Sequence, residues 1–435
     1  MHVPLSMSDL GSLLTQHTDA AWSAASEREV WVPAWRRRVV ARMSHCGDPH
    51  GGFVWLRCTP CGVDRVVAVS CKASAVCPRC GGRRMASLAA HLVERVLPRV
   101  RLRQWVLTLP QPLPRLLAWR PELLARVLAA LSRTLQSDLQ LRSGAADGQS
   151  GLVAFVQTFT SDLRLFVHVH ALVPDGVFVA TANGTQFVSA PPPTQVSLQA
   201  TADALAGSVQ RVCQRWRRGL DPEAAPVDAA QLNRLAQQVE PAVPRASPRS
   251  GRARRRWVAR CAGLELHAGV SVAADDDRGR ERLVRYVARA AVSLQRLSLE
   301  ADGTVRVQLK GASRSGRTHV RLRPEVFVLR LASLLLPPGV NRVRYFGVFA
   351  PAAPLRRHVV PPLPPAPVSR PGGRWIRWQV LLRHVFGVDP RRCPQCGAPL
   401  RTVATLQGRG RAFVVLRWLG WTARGPPRPR WVAGW

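Results

Sequence analysis

The segment "FVHVHALVPDG" (166–176) places His168 and His170 one residue apart inside an apolar run. On an extended strand alternate side chains share a face. Phe166, His168, His170 and Leu172 therefore point one way, and Leu165, Val167, Val169 and Ala171 point the other, towards a core. Two imidazoles spaced about 7 Å along one sheet face can reach a common divalent cation. The continuation narrows the chemistry. A zinc hydrolase of the H-x-H-x-D-H kind needs Asp and then His after the pair, and this chain has Leu172 in the Asp position. An H-x-H-x-H nucleotidyl-transfer motif needs a third His at 172.

A second group with chemical potential is a phenol. The chain has 2 tyrosines, Tyr286 and Tyr345. Tyr286 sits in "RLVRYVAR", and on a helix Arg282 and Arg289 lie one turn before and one turn after it on its own face. A phenol flanked by guanidiniums is suited to meet a phosphate. Taken alone, Tyr286 reads as an ordinary amphipathic-helix tyrosine capping a core edge. Together with a two-histidine metal site it makes a chemically complete strand-cutting centre. The metal polarises the scissile phosphate and the phenolate attacks phosphorus, forming a phosphotyrosine.

The third group is sulfur. Of the 10 cysteines, those at 46–80 dominate. Cys58 and Cys61 form one C-x2-C pair and Cys77 and Cys80 another, the spacing of a four-cysteine zinc ribbon. Cys46 and Cys71 remain over, with His45 and His50 nearby, either to complete a second site or to pack as buried thiols. Cys393 and Cys396 in "CPQC" are half a site, with His384 within reach in sequence; a tight turn with two thiols is the other reading. Arg57, Arg65, Arg79, Arg83 and Arg84 make the N-terminal module a candidate DNA reader.

Charge agrees with a polyanionic partner. Lys plus Arg is 63 against 26 Asp plus Glu, a net charge of +37. The excess is almost all arginine, with Lys72 and Lys310 the only lysines. So large an imbalance opposes compaction unless a polyanion is present, and nucleic acid is the usual one, with an anionic membrane surface as competitor. No run of 18 apolar residues predicts a membrane span. The start lacks a signal-peptide pattern, so a cytoplasmic, nucleoid-associated bacterial protein is expected.

These groups need elements to hold them. Residues 1–45 read as helical and 103–110 as a buried strand. Residues 119–140 read as an amphipathic helix, and 151–160 and 163–173 as adjacent strands. "GVFVA" and "TQFVSA" are expected to continue that sheet, with a helix at 196–219. Residues 220–258 read as a mobile basic insertion containing Arg254, Arg255 and Arg256. A strand at 263–272 and a helix at 278–297 follow, with an acidic run before the helix. Strands are expected at 304–310 and 317–322, a helix at 323–336, and a strand within 341–350.

"VLTLP" (106–110), "HVHALVPDGVF" (168–178) and "RYVARAAVSLQRL" (285–297) resemble, in that order, the motifs of the HUH endonucleases. The closer similarity is to rolling-circle insertion-sequence transposases of the IS-ninety-one group. "SCKASAVCPRC" (70–80) resembles that group's zinc-binding domain, and "LELHAGV", "RYFGVFAPAAPLR" and "LLRHVFGVDPRRCPQCGAPLR" resemble its later blocks. The resemblance spans roughly 46–406, without the insertion.

The resemblance implies an α+β fold with a central antiparallel-sheet nuclease domain, a zinc-ribbon-like N-terminal module and a small C-terminal unit. The units expected are residues 1–98, 99–350, a Pro-rich linker at 351–374 and a C-terminal unit at 375–435. It implies that His168 and His170 bind Mg2+ or Mn2+, with Gln157 as third ligand and His267 as the alternative. It implies that Tyr286 is the nucleophile, assisted by Arg289, with structural Zn2+ on the cysteines. Single-stranded or hairpin element-end DNA would be held by Arg282, Arg285 and Arg254–Arg256. Some members carry a second tyrosine one turn on, where this chain has Ala290, so a one-tyrosine mechanism is expected. A plasmid replication initiator or relaxase, and a non-catalytic zinc-dependent DNA-binding regulator, are the alternatives.

Overall fold

The computed structural model describes residues 2–182, 184–219, 257–312, 316–360 and 392–420. Most of the basic insertion, with Arg254, Arg255 and Arg256, and most of the Pro-rich linker, together with His384, lie outside the described residues. The first part of the chain runs β1 (His2–Pro4), α1 (Met7–Glu27), α2 (Ala34–Ser44), β2 (Gly52–Cys58), β3 (Asp64–Ala68), α3 (Pro78–Arg95), β4 (Leu102–Thr108), α4 (Leu113–Trp119), α5 (Pro121–Ser143), β5 (Gly151–Phe159), β6 (Leu165–Pro174), β7 (Gly176–Thr181), β8 (Gly184–Ser189) and α6 (Gln195–Arg218). It continues with β9 (Val258–Cys261), β10 (Leu264–Val272), α7 (Asp277–Ala288), β11 (Leu297–Glu300), β12 (Val305–Gln308), β13 (His319–Leu322), α8 (Pro324–Ser333), β14 (Val343–Gly347), α9 (Arg356–Val359), β15 (Leu400–Gln407) and α10 (Arg409–Trp418).

A six-stranded antiparallel sheet, ordered β14-β5-β6-β4-β10-β9, carries the histidines. Strand alternation assigns its faces. Val167, Val169 and Ala171 of β6 are buried against Leu124, Leu128 and Leu131 of α5 and Leu198 and Leu205 of α6. The opposite face carries His168 and His170, and there Val153, Phe155 and Leu172 pack under Ala89 and Leu92 of α3 and Leu283, Val284 and Val287 of α7. Each such fully buried aliphatic side chain contributes about 1.5–3 kcal/mol. The result is a helix–sheet–helix sandwich, an α+β architecture in which α7 lies over the histidine face.

Two devices fix α7. Its N-cap Asp276 accepts from the Gly279 amide at 2.7 Å, and acidic Asp277 in the first turn suits the helix dipole. The buried Arg280 guanidinium donates to the carbonyls of Leu97, Pro98 and Val100 at 3.1, 2.7 and 3.0 Å. That triple contact pins the helix to the chain entering β4.

Two expectations are corrected. The segment expected as one helix over 278–297 is helical only to Ala288. Arg289 is extended (φ −56°, ψ 154°), and the Ala291 amide donates to Ala75 rather than to an intrahelical carbonyl. The strands β7 and β8 pair with each other as a separate hairpin outside the main sheet, with Phe178 of β7 bridging to Gln149 just before β5. The chain leaves the main sheet at Pro174–Asp175, where Pro174 has no amide to donate and the Asp175 carboxylate is gripped by Arg103 at 2.8 Å. Far apart in sequence, β15 and β2 pair in a three-stranded sheet, β15-β2-β3. One cluster joins Leu10, Leu14, Val40 and Cys77 to Phe159, Leu297, Phe327 and Leu331.

Candidate active site and cysteine clusters

Antiparallel register places residues in rows across the sheet, each row on one face. One row reads Gln157, His168, Thr108, Glu265, and the next reads Phe155, His170, Val106, His267. Gln157 is thus directly opposite His168. His267 is two strands from His170, about 10 Å at the usual strand spacing. Of the two expected third ligands, Gln157 is the one placed beside the pair.

The rings of His168 and His170 lie 5.1 Å apart between centroids. Tyr286, from α7 more than 100 residues later in the chain, meets His170 edge-on, 5.8 Å between centroids at 88°. The Arg289 guanidinium carbon lies 4.7 Å from the Tyr286 ring centroid, and Lys310 Nζ lies 5.1 Å from it. Burial lowers the Arg289 pKa, and the adjacent Tyr286 phenol pushes it back up. Tyr286 is 47% exposed, so this ring is at once against the histidines and open to a ligand. Tyr345 differs: it sits on edge strand β14 opposite Val153, and burial raises its pKa.

The donor set fits a divalent cation. His170 is buried, and its pKa is pushed well below the usual value by desolvation, then by the charges of His168, Arg289 and His267. A neutral imidazole is the ligating form. Its Nε2 is buried with no hydrogen-bond partner, and so is Oε1 of Gln157, whose Nε2 donates to Val287 O at 2.8 Å. Two orphaned polar atoms of ligand type, on the same face of neighbouring strands, are costly unless something satisfies them. His168 Nδ1 donates to Phe166 O at 3.2 Å, which leaves the lone pair on Nε2.

Sequence reasoning missed Gln104, whose side-chain amide lies 2.6 Å from His170 Nδ1. The atom facing Nδ1 is the amide nitrogen Nε2; with the amide turned through 180° its oxygen would accept from Nδ1–H and leave the ring Nε2 to ligate. Its signal was a buried polar residue inside the apolar strand "RQWVLT". Lys310 was noted only as a rare lysine; no local pattern marks a residue that comes to the phenol from another sheet.

The candidate phosphate contacts are dispersed. Arg282 is mostly exposed, 4.0 Å from Asp276. Arg285 forms an ion pair with Glu281 at 2.7 Å along the helix surface, the kind of pair worth at most a fraction of a kcal/mol.

The cysteines group differently from expectation. Cys77 and Cys80 converge with Cys46 and Cys71, while Cys58 and Cys61 converge with Cys393 and Cys396. The four-cysteine ribbon of Cys58, Cys61, Cys77 and Cys80 is therefore corrected. The reason is the β2–β3 hairpin. Cys58 and Cys61 lie at its turn, whereas Cys46 precedes it and Cys71 follows it at the open end, about 17 Å away for a five-residue strand. In the buried cluster Cys46 Sγ lies 3.6 Å from Cys80 and 3.5 Å from Cys77, and Cys71 Sγ lies 3.5 Å from Cys80. Hydrogen bonds from Cys46, Cys71 and Cys77 hold the Cys80 thiol far below the ordinary thiol range. His45 and His50 are not ligands here; His50 Nδ1 bonds Asp48 at 2.9 Å.

This buried cluster touches the tyrosine segment. The Ala75 carbonyl, inside the Cys71–Cys80 loop, accepts from the Ala291 amide at 2.9 Å. A Cβ added at Gly81 would lie 2.3 Å from Cβ of Ala290. The loop and the end of α7 approach so closely that only glycine fits between them.

Comparison with known proteins agrees with this layout. Residues 151–357 match a family described as "Putative transposase", and residues 14–109 match the "Transposase zinc-binding domain". The chain is 27% identical over 328 residues to the putative transposase y4qJ of Sinorhizobium fredii, covering 72% of this chain and 74% of that protein. No solved structure matches. The cluster of Cys46, Cys71, Cys77 and Cys80 lies wholly inside the zinc-binding match, and four thiols within ligating distance of one another suit structural zinc. Among the described residues no helix is long and apolar enough to cross a membrane.

Proposed function

Because the chain carries the zinc-binding domain and the putative-transposase domain of a DNA-acting transposase family, in that order, we propose that it is a single-tyrosine HUH transposase. It nicks and rejoins single-stranded DNA at element ends in a rolling-circle scheme. The observation that carries this reading is the edge-on contact of Tyr286 with His170, 5.8 Å between ring centroids.

In the nicking step the Tyr286 hydroxyl gives its proton to solvent and its oxygen bonds to the scissile phosphorus. The bond from phosphorus to the 3′ oxygen breaks, and that oxygen takes up a proton and leaves as a free 3′-OH. The 5′ end stays on Tyr286 as a phosphodiester. Rejoining is the reverse, a 3′-OH displacing the phenol. Arg289 and Lys310 bring positive charge beside the phenol, which offsets charge on the phosphate oxygens. His168, His170 and Gln157 would hold Mg2+ or Mn2+, which supplies charge stabilisation on phosphate and leaving oxygen. Gln104, 2.6 Å from His170 Nδ1, orients the His170 ring.

The test is incubation of the whole chain with Mn2+ and labelled single strands covering an element end. A covalent protein–oligonucleotide band is expected from the native chain and none from Tyr286→Phe. A band of equal strength from Tyr286→Phe contradicts the reading. Absence of any band on all end sequences favours a non-catalytic DNA-binding regulator. Cutting at a plasmid origin rather than at element ends favours a replication initiator or relaxase.

A further inference from the structure

We propose that Cys58, Cys61, Cys393 and Cys396 form a second zinc site, which fastens the C-terminal segment to the N-terminal module. The matched zinc-binding domain ends at residue 109, so half of this ligand set lies far outside it.

The four sulfurs are mutually within ligating reach: Cys58–Cys396 3.4 Å, Cys61–Cys393 3.4 Å and Cys61–Cys396 3.5 Å. A tetrahedron of Zn–S bonds of about 2.3 Å has sulfur–sulfur edges of about 3.8 Å. The two halves are also built alike. "CTPCG" and "CPQCG" both read Cys-x-x-Cys-Gly. In the first, the Gly62 amide donates to Cys58 O at 2.9 Å and the Cys58 amide donates to Val63 O at 2.9 Å. In the second, the Gly397 amide donates to Cys393 O at 2.9 Å and the Cys393 amide donates to Ala398 O at 2.8 Å. Gly62 and Gly397 have φ of +70° and +72°, the left-handed conformation that glycine adopts without strain. Two copies of one turn, from opposite ends of the chain, present paired sulfurs to one point.

Packing alone gives the C-terminal segment little hold. The core under β15 and α10 has three fully buried side chains, Phe53, Ala412 and Leu416. A core of that size needs a crosslink or metal to be stable. Register delivers the ligands: Leu400, the first residue of β15, pairs with Cys58, so Cys393 and Cys396 arrive beside the β2–β3 turn. Thiolate donors in a tetrahedral set select zinc over the oxygen-seeking Mg2+ or Mn2+ of the histidine site.

The test uses the full chain. Zinc-loaded protein, exchanged into metal-free buffer, is alkylated at its thiols before and after chelator, and each cysteine is scored by peptide mass spectrometry. Cys61 and Cys396 are exposed, so without metal they react at once. The expected result is protection of Cys58, Cys61, Cys393 and Cys396 before chelation and modification of all of them after it. Metal analysis is expected to give two zinc ions per chain, falling to one in C393S/C396S while Cys46, Cys71, Cys77 and Cys80 stay protected. Ready alkylation of Cys61 and Cys396 in the zinc-loaded native chain, or unchanged zinc content in C393S/C396S, would overturn the proposal. So would iron in place of zinc.

Discussion

The Ala291 amide donates to the Ala75 carbonyl at 2.9 Å, tying the loop between Cys71 and Cys80 to the chain five residues beyond Tyr286. The buried cysteine cluster is thus a structural support of the proposed nucleophile as well as a fold nucleus for the N-terminus.

Removing metal from that cluster should therefore loosen the tyrosine segment. Hydrogen exchange on Cys71→Ser, or on chelated protein, is expected to show faster exchange at 288–292 with α5 unchanged. Equal protection of 288–292 with and without metal would detach the cluster from the proposed active site.

Gly81 tests the same contact without touching a ligand. Gly81→Ala places a methyl 2.3 Å from Ala290 Cβ. Overpacking of this kind costs about 1–3 kcal/mol. The thermal midpoint should fall and adduct yield should fall with it, read by calorimetry and the gel assay on one preparation. An unchanged midpoint would mean that the loop has slack.

Gln104 should act on metal affinity rather than on the chemical step. Loss of a partner that orients a ligating histidine weakens metal binding by about 10–100-fold. Gln104→Leu is expected to raise the Mn2+ concentration for half-maximal nicking by that factor, with the rate at saturating Mn2+ largely restored. A drop in the saturated rate alone, with the Mn2+ midpoint unmoved, would place Gln104 elsewhere in the mechanism.

Arg289 should act on the chemical step. Deleting a preorganised charge next to a reacting oxyanion costs about 10²–10³ in rate. Arg289→Ala is expected to slow single-turnover adduct formation by about that factor, leaving the Mn2+ midpoint in place. A shifted midpoint at an unchanged saturated rate would assign it to the metal instead.

Much of this was legible locally. The apolar alternation of 165–173 gave both the strand and the face on which His168 and His170 sit, because a side-chain period of two leaves no other choice. The acidic run before Arg278 marked the start of α7. Its end was not legible: "ARAAV" contains no glycine or proline, and the helix stops because a distant carbonyl, Ala75, takes the Ala291 amide. The cysteine pairing failed for a related reason. C-x2-C spacing identifies a half-site but not its complement, which here depends on β15 returning to β2 from the far end of the chain. Gln104 and Lys310 reach the site through strand register and sheet packing, which single-residue patterns do not encode.

The most direct measurement of the central claim is to digest the covalent DNA adduct and locate the nucleotide remnant by peptide mass spectrometry. The account predicts one modified peptide, with the remnant on the Tyr286 oxygen. A remnant on Tyr345, on a serine, or on any side chain outside the reach of His168 and His170 would contradict it.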